Sequence, residues 1–215
     1  MNIYDIHTHH HPGETGTAIV QLTPEDICLR PEHRYSVGLH PWDITSDWRV
    51  QMAKLHVMAL HPQVLMIGEA GIDKVHSSAP LGLQIEVMRE HIQLSELVRK
   101  PLIIHCVKGV DELFALRKET HATLPWILHG YRGGVEQWRQ LSRAGIWISI
   151  GLHYNEQLIH TLPTDQLLIE SDDTTAIDSI YEQIATATSI EVSALRHHVS
   201  NNIHHILDSS ILPPF

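Results

Sequence analysis

The sequence predicts an α/β fold: a (β/α)8 TIM-type barrel, abbreviated and distorted, with short connections after strands 1 and 2. Three observations lead there. Short apolar runs recur eight times, segments of helical periodicity lie between most of them, and a histidine or carboxylate ends most runs. Continuous apolar runs fit parallel strands covered on both faces. Their alternation with helices implies βα units, and eight such strands suggest a closed barrel. An open doubly wound sheet is the alternative, but no Gly-rich phosphate fingerprint follows an early strand.

The runs, in order, are residues 3–6, 18–22, 35–39, 64–68, 101–104, 126–128, 146–150 and 167–169. The connections after the first two are Pro-containing and leave little room for a helix. Residues 47–60 follow run three with Trp48, Met52, Leu55 and Ala59 on one stripe. Further helical patterns cover 81–98, 110–118 and 135–144, the last stopped by Gly145. After run eight come 177–187 and 192–207. No linker or repeat divides the chain, so residues 1–215 are expected to form a single unit.

The opening, MNIYDIHTHHHPG, sets Asp5, His7, His9, His10 and His11 within seven residues. An expression tag is usually an uninterrupted histidine run, whereas these histidines follow a strand-like stub. Side chains alternate along a strand, so Asp5, His7 and His9 share one face. His10 and His11 are assigned to the loop. Run three leads into His40 and Asp43, run four into Glu69 and Asp73, run five into His105, and run six into His129. Run eight leads into Glu170, Asp172 and Asp173. The C-terminal edge of a barrel is where active sites are built. Burying so many titratable groups without a cation is costly. Imidazole with carboxylate suits Zn²⁺, Mn²⁺ or Fe²⁺ better than Ca²⁺. Four histidines and two acids exceed what one tetrahedral ion needs, which points to two metals and a bridging carboxylate.

The formal charge is −10, from 15 Lys+Arg against 25 Asp+Glu, with 19 histidines besides. A protein that grips long duplex DNA usually shows a basic face, so any nucleic-acid substrate is expected to be short or single-stranded. The lack of a long apolar stretch or a leader pattern predicts no membrane span and a cytoplasmic protein. Cys28 and Cys106 are too few for a disulfide framework.

The stretches DIHTH (5–9), GLHPWD (38–43), IGEAGID (67–73), PLIIHC (101–106), HGYRGG (129–134) and ESDD (170–173) resemble the TatD family of metal-dependent hydrolases, and SNNIHHIL (200–207) resembles its last helix. The resemblance implies that His7, His9 and Asp172 bind one metal and that Glu69 bridges to a second held by His105 and His129. It implies two divalent ions, with Zn, Mn or Mg as candidates, and cleavage of phosphodiester bonds, with Asp172 and Glu69 as the catalytic carboxylates. Asp172 would orient the attacking water or take its proton, and Asp5 would hold a ligand histidine. The chain departs from the family pattern at Val107-Lys108, Gly130-Tyr131-Arg132 and Asp173-Thr174. His40, Lys108 and Arg132 are the substrate-binding candidates, with Arg30 further out. DxHxH also begins PHP-type phosphoesterases and true amidohydrolases, so a small phosphate-bearing or C–N substrate is the competing reading. A non-catalytic barrel is a third.

Overall fold

The computed structural model describes residues 2–26 and 29–209; Cys28 lies outside them. The strands are β1 (Asp5–Thr8), β2 (Ala18–Leu22), β3 (Arg34–Val37), β4 (Val64–Asp73), β5 (Leu102–Val107), β6 (Trp126–Leu128), β7 (Ile146–Ile150) and β8 (Leu167–Ile169). All neighbouring pairs are parallel and the order is β1 through β8 without a crossover. That order excludes the doubly wound alternative, which requires the strand order to reverse. The sheet closes where Thr8 bridges Asp172: the Asp172 amide donates to the His7 carbonyl at 3.0 Å, and the His9 amide to the Asp172 carbonyl at 3.1 Å.

Among the described residues no helix joins β1 to β2 or β2 to β3. Helix α1 (Trp48–Met58) precedes β4, α2 (Leu81–Val98) precedes β5, α3 (Val110–Thr120) precedes β6 and α4 (Val135–Arg143) precedes β7. A single-turn α5 (Glu156–Ile159) and a 3₁₀ turn, Thr164–Gln166, fill the β7–β8 connection, and α6 (Ile177–Thr188) and α7 (Val192–Ser209) follow β8. Strand interiors are buried throughout, with Ile6, Ile19, Ile67, Ile103, Ile127, Ile148 and Leu168 essentially sealed from solvent. This continuous apolar filling is what the eight runs predict for a packed barrel. Asn202 of α7 locks the closing helix onto the barrel by donating to the Thr164 and Leu167 carbonyls at 2.8 and 2.9 Å. No described helix is long and apolar enough to cross a membrane.

Four strand boundaries differ from the expected ones. β1 runs from Asp5 to Thr8 rather than over 3–6, β3 runs from Arg34 to Val37 rather than over 35–39, and β4 and β5 continue past their apolar runs to Asp73 and Val107. In β1, β4 and β5 the ladder continues through polar residues at the C-terminal edge, which a hydrophobicity criterion truncates. The short α5 and the 3₁₀ turn have no periodic signal of their own.

Candidate metal centre

The strand ends deliver seven titratable side chains to one mouth of the barrel, and Glu69 is the hub. Its local backbone makes it so. Between the pairs Ile67↔Leu102 and Ala70↔Ile104 the register slips, so three steps of β4 oppose two of β5. A bulge re-aims a side chain, and here the bulged stretch holds Glu69. Gly68 sits at φ +114°, and a Cβ there would lie 2.2 Å from the Ile103 carbonyl oxygen. Only glycine tolerates both conditions. Gln21 of β2 fixes the hub from the other side: its Oε1 accepts from the Glu69 amide at 2.5 Å and from Ser36 Oγ at 2.8 Å. The expected site did not include Gln21. Its signal was a lone amide in the apolar run AIVQL.

The two oxygens of Glu69 face different partners. Oε2 lies 3.2 Å from His7 Nε2 and 3.3 Å from His9 Nε2. Asp172 Oδ1 completes that side, 3.7 and 3.5 Å from the same two nitrogens. Oε1 lies 2.9 Å from His105 Nδ1, 2.7 Å from His129 Nε2 and 3.2 Å from His40 Nε2. The six expected ligands His7, His9, Glu69, His105, His129 and Asp172 therefore meet. Glu69 and His7 form the floor, 2% and 0% exposed, while His9 and Asp172 form the open rim at 37% and 32%.

Outer carboxylates orient two of the imidazoles. His105 Nε2 faces Asp73 Oδ2 at 3.2 Å, which turns Nδ1 inward. His129 Nδ1 faces Glu170 Oε1 at 3.4 Å, which turns Nε2 inward. Asp73 and Glu170 are fully buried, and each is anchored by further donors. Asp73 accepts from Trp42 Nε1 at 2.7 Å and from the Val75 and His76 amides, while Glu170 accepts from the Gly130 amide and Ser149 Oγ. A carboxylate behind an imidazole is the usual support of a metal-ligating histidine. Both acids stand out as strand-end residues in the sequence; their partners became visible only in three dimensions.

His40 is different. Its Nδ1 accepts from the Trp42 amide at 3.2 Å, so the proton sits on Nε2 and points at Glu69. That tautomer makes His40 a donor toward Glu69; Nε2 would have to give up its proton to join Glu69 and His105 around an ion. Lys108 and Arg132 are exposed on the loops after β5 and β6 and form no ion pair among the described residues. Asp5 corrects an expectation. It bonds to no imidazole; it accepts from Ser171 N at 3.0 Å and Oγ at 2.6 Å and lies 3.4 Å from the His7 amide. It therefore ties β1 to the segment carrying Asp172. His10 Nε2 lies 2.9 Å from the Asp173 carbonyl, outside the cluster.

The electrostatics follow from crowding in a dry floor. Burial raises the Glu69 carboxyl, but the charge of His129 and bonds from His105, His129 and His40 outweigh it and hold it well below the usual carboxylate range. Burial lowers His129, but Glu69 and Glu170 outweigh it and raise the imidazole well above its ordinary value. Burial raises Asp172 and takes Asp5 up to about 7. Burial also pushes the Cys106 thiol up to about 11, which disfavours its thiolate at neutral pH.

The donor set fits divalent ions. His7 is sealed from solvent, and neither Nδ1 nor Nε2 has a hydrogen-bond partner. Such orphaned nitrogens are costly unless something else engages them. The triads His7–His9–Asp172, His7–Glu69–His129, His40–Glu69–His105 and His129–Glu170–Asp172 each bring three donor atoms within 4.8 Å of one another.

A parallel eight-stranded barrel with imidazoles and carboxylates converging at its C-terminal mouth defines the class: barrels built to hold metal among strand-end ligands. A sequence profile described as TatD related DNase matches residues 29–208, and the chain belongs to that family. A Buchnera aphidicola protein named "Uncharacterized metal-dependent hydrolase" is 30% identical over 145 residues, 64% of this chain and 54% of the relative. A Citrobacter rodentium protein named "3'-5' ssDNA/RNA exonuclease TatD" is 28% identical over 148 residues, covering 64% and 56%. The matches thus span little more than half the length of these relatives. The fold is shared with the crystal structure of YJJV, a TatD homolog from Escherichia coli, at TM-score 0.79 and 18% identity over 99% of this chain and 100% of that one. A TatD family hydrolase from Entamoeba histolytica superposes at TM-score 0.67 with 16% identity, covering 81% and 75%.

Proposed function

We propose that residues 1–215 form one metal-dependent hydrolase unit that cleaves phosphodiester bonds at short or single-stranded nucleic-acid ends. One observation carries this reading: the division of Glu69 between two ligand sets, Oε2 toward His7 and His9 and Oε1 toward His105 and His129. A carboxylate shared in this way is placed to serve two divalent ions. His7, His9 and Asp172 would hold one, and His105 and His129 would hold the other, with Glu69 between them. Bound divalent ions of this kind supply Lewis acidity toward a phosphoryl oxygen and activate water at neutral pH.

The remaining roles belong to the chain. Asp172, at the half-open rim and raised by burial, accepts the proton of the attacking water. His40 donates from Nε2 toward a substrate oxygen. Lys108 and Arg132 neutralise a phosphate on either side. With a net charge of −10, few phosphates can be engaged, which favours frayed or single-stranded ends over internal duplex. The names of the relatives support the reaction class. A small phosphate-bearing substrate is the second reading, favoured by the altered loops at 107–108 and 130–132.

The test is hydrolysis of single-stranded DNA, duplex DNA, RNA, a nitrophenyl phosphodiester, a phosphomonoester and D-aminoacyl-tRNA with Mg²⁺, Mn²⁺ and Zn²⁺ supplied separately. Metal-stimulated, end-directed cleavage of single strands is expected. Absence of metal-stimulated cleavage of every phosphodiester would overturn the reading.

A further inference from the structure

Trp42 contradicts the ordinary behaviour of a large apolar side chain. It is 52% exposed, whereas the other four tryptophans are buried or partly buried. It is also the one aromatic among the exposed large hydrophobic residues described. Exposure here does not mean freedom. The indole Nε1 donates at 2.7 Å to Asp73, a fully buried carboxylate. The ring meets the His40 ring edge-on at 4.8 Å between centroids, and also contacts His105 at 5.8 Å and His76 at 5.9 Å. The result is an indole locked at one edge, flanked by two histidines of the site, with its remaining surface in solvent at the mouth.

We propose that the open surface of Trp42 is a stacking platform for the nucleobase adjoining the cleaved phosphate. This rests on the phosphodiester reading of the metal centre. The argument is geometric and chemical. A phosphate seated over Glu69, His105 and His40 carries its base one sugar away, and Trp42 is the adjoining aromatic surface. A preset ring lowers the ordering cost of binding. Stacking accepts any base, because every base offers a π-face. It also compensates for the scarcity of cations, since a substrate that cannot be held by many phosphates must be held by something else. The inferred preference is therefore for a base-bearing terminus, without sequence specificity.

Two substrates and two variants test it. The substrates are a short oligothymidylate and the same strand with tetrahydrofuran abasic residues at its two terminal positions. The variants are Trp42→Leu, which removes the ring, and Trp42→Phe, which keeps an aromatic face but loses the bond to Asp73. The readout is the ratio of kcat/KM for the two substrates. Disturbance passing through Asp73 and His105 affects both substrates alike and cancels in that ratio. The parent protein should favour the base-bearing strand by roughly 5- to 150-fold, chiefly through KM. Trp42→Leu should bring the ratio near unity, and Trp42→Phe should keep much of it. An unchanged ratio in Trp42→Leu overturns the platform. Binding of the dinucleotide TpT, followed by tryptophan fluorescence, gives a readout independent of turnover. Quenching present in the parent and lost in Trp42→Phe, which lacks the reporting indole, supports the platform even if no phosphodiester is cleaved. Equal quenching in both overturns it.

Discussion

His91 should make the fold acid-sensitive in a calculable way. It is fully buried in α2, where Nδ1–H donates to the Val87 carbonyl at 2.8 Å and Nε2 accepts from the Leu39 amide at 3.0 Å. Both bonds require the neutral ring, and the second pins the segment that carries His40. Burial lowers its pKa from 6.5 to about 4. A lowered imidazole favours the folded state only while the unfolded chain is also neutral. The stabilisation is therefore complete above pH 6.5 and is lost as pH falls toward 4. A displacement of that size corresponds to about 3 kcal/mol in total, most of it lost by pH 4.5. His91→Gln keeps a donor and an acceptor but cannot ionise. The assay is urea unfolding at pH 7 and pH 4.5 for the parent and the variant, with metal removed by chelation. The parent should lose about 2–3 kcal/mol more than the variant between the two pH values. Carboxylates and the other histidines titrate in both proteins, so the double difference isolates this residue. Parallel losses would refute the assignment of a neutral buried staple.

Other outcomes are expected at the hub. Glu69→Gln keeps the shape but removes the charge shared between two ligand sets; it should lose the second ion, keep its thermal unfolding midpoint within a few degrees, and lower turnover by orders of magnitude. His105→Ala should retain partial activity rescued by excess Mn²⁺. Metal stoichiometry with turnover decides, and near-parental values in Glu69→Gln would remove the bridge. Gly71→Ala would set a Cβ 1.9 Å from the His105 carbonyl oxygen, so β4 and β5 must part at the site. It should cost at least ~3 kcal/mol in urea unfolding; a loss under 1 kcal/mol would show that the strands yield more readily than their contact implies.

Much of this molecule was legible because its periodicities are simple. The β2, β6, β7 and β8 runs coincide with the observed strands, since apolar residues fill the barrel from one end of each to the other. Where strands enter the site, the same signal fails. β1, β4 and β5 continue through Asp5, His7, Asp73 and His105 because ladder bonding is indifferent to side-chain polarity. The six candidate ligands could be read because each follows an apolar run. What orients them could not. Gln21, Asp73 and Glu170 act across strands, and Asp5 holds Ser171, 166 residues away, rather than an imidazole. His91 was hidden among helix histidines, since burial at 3.6-residue spacing leaves a polar residue looking like its exposed neighbours.

The seam of the barrel has a consequence for how the protein is made. Thr8 and Asp172 are 164 residues apart, and their pairing both closes the sheet and sets His7 and His9 beside Asp172. Joining segments so distant costs chain entropy, about 4–5 kcal/mol beyond a fixed constant, before any local bond repays it. High contact order of this kind makes folding slow. During vectorial synthesis the histidines of the first strand emerge long before their carboxylate partner, and they cannot meet Asp172 until the eighth strand has docked. The cluster is thus incomplete through most of translation, and it is assembled in a single step with the last stave of the barrel.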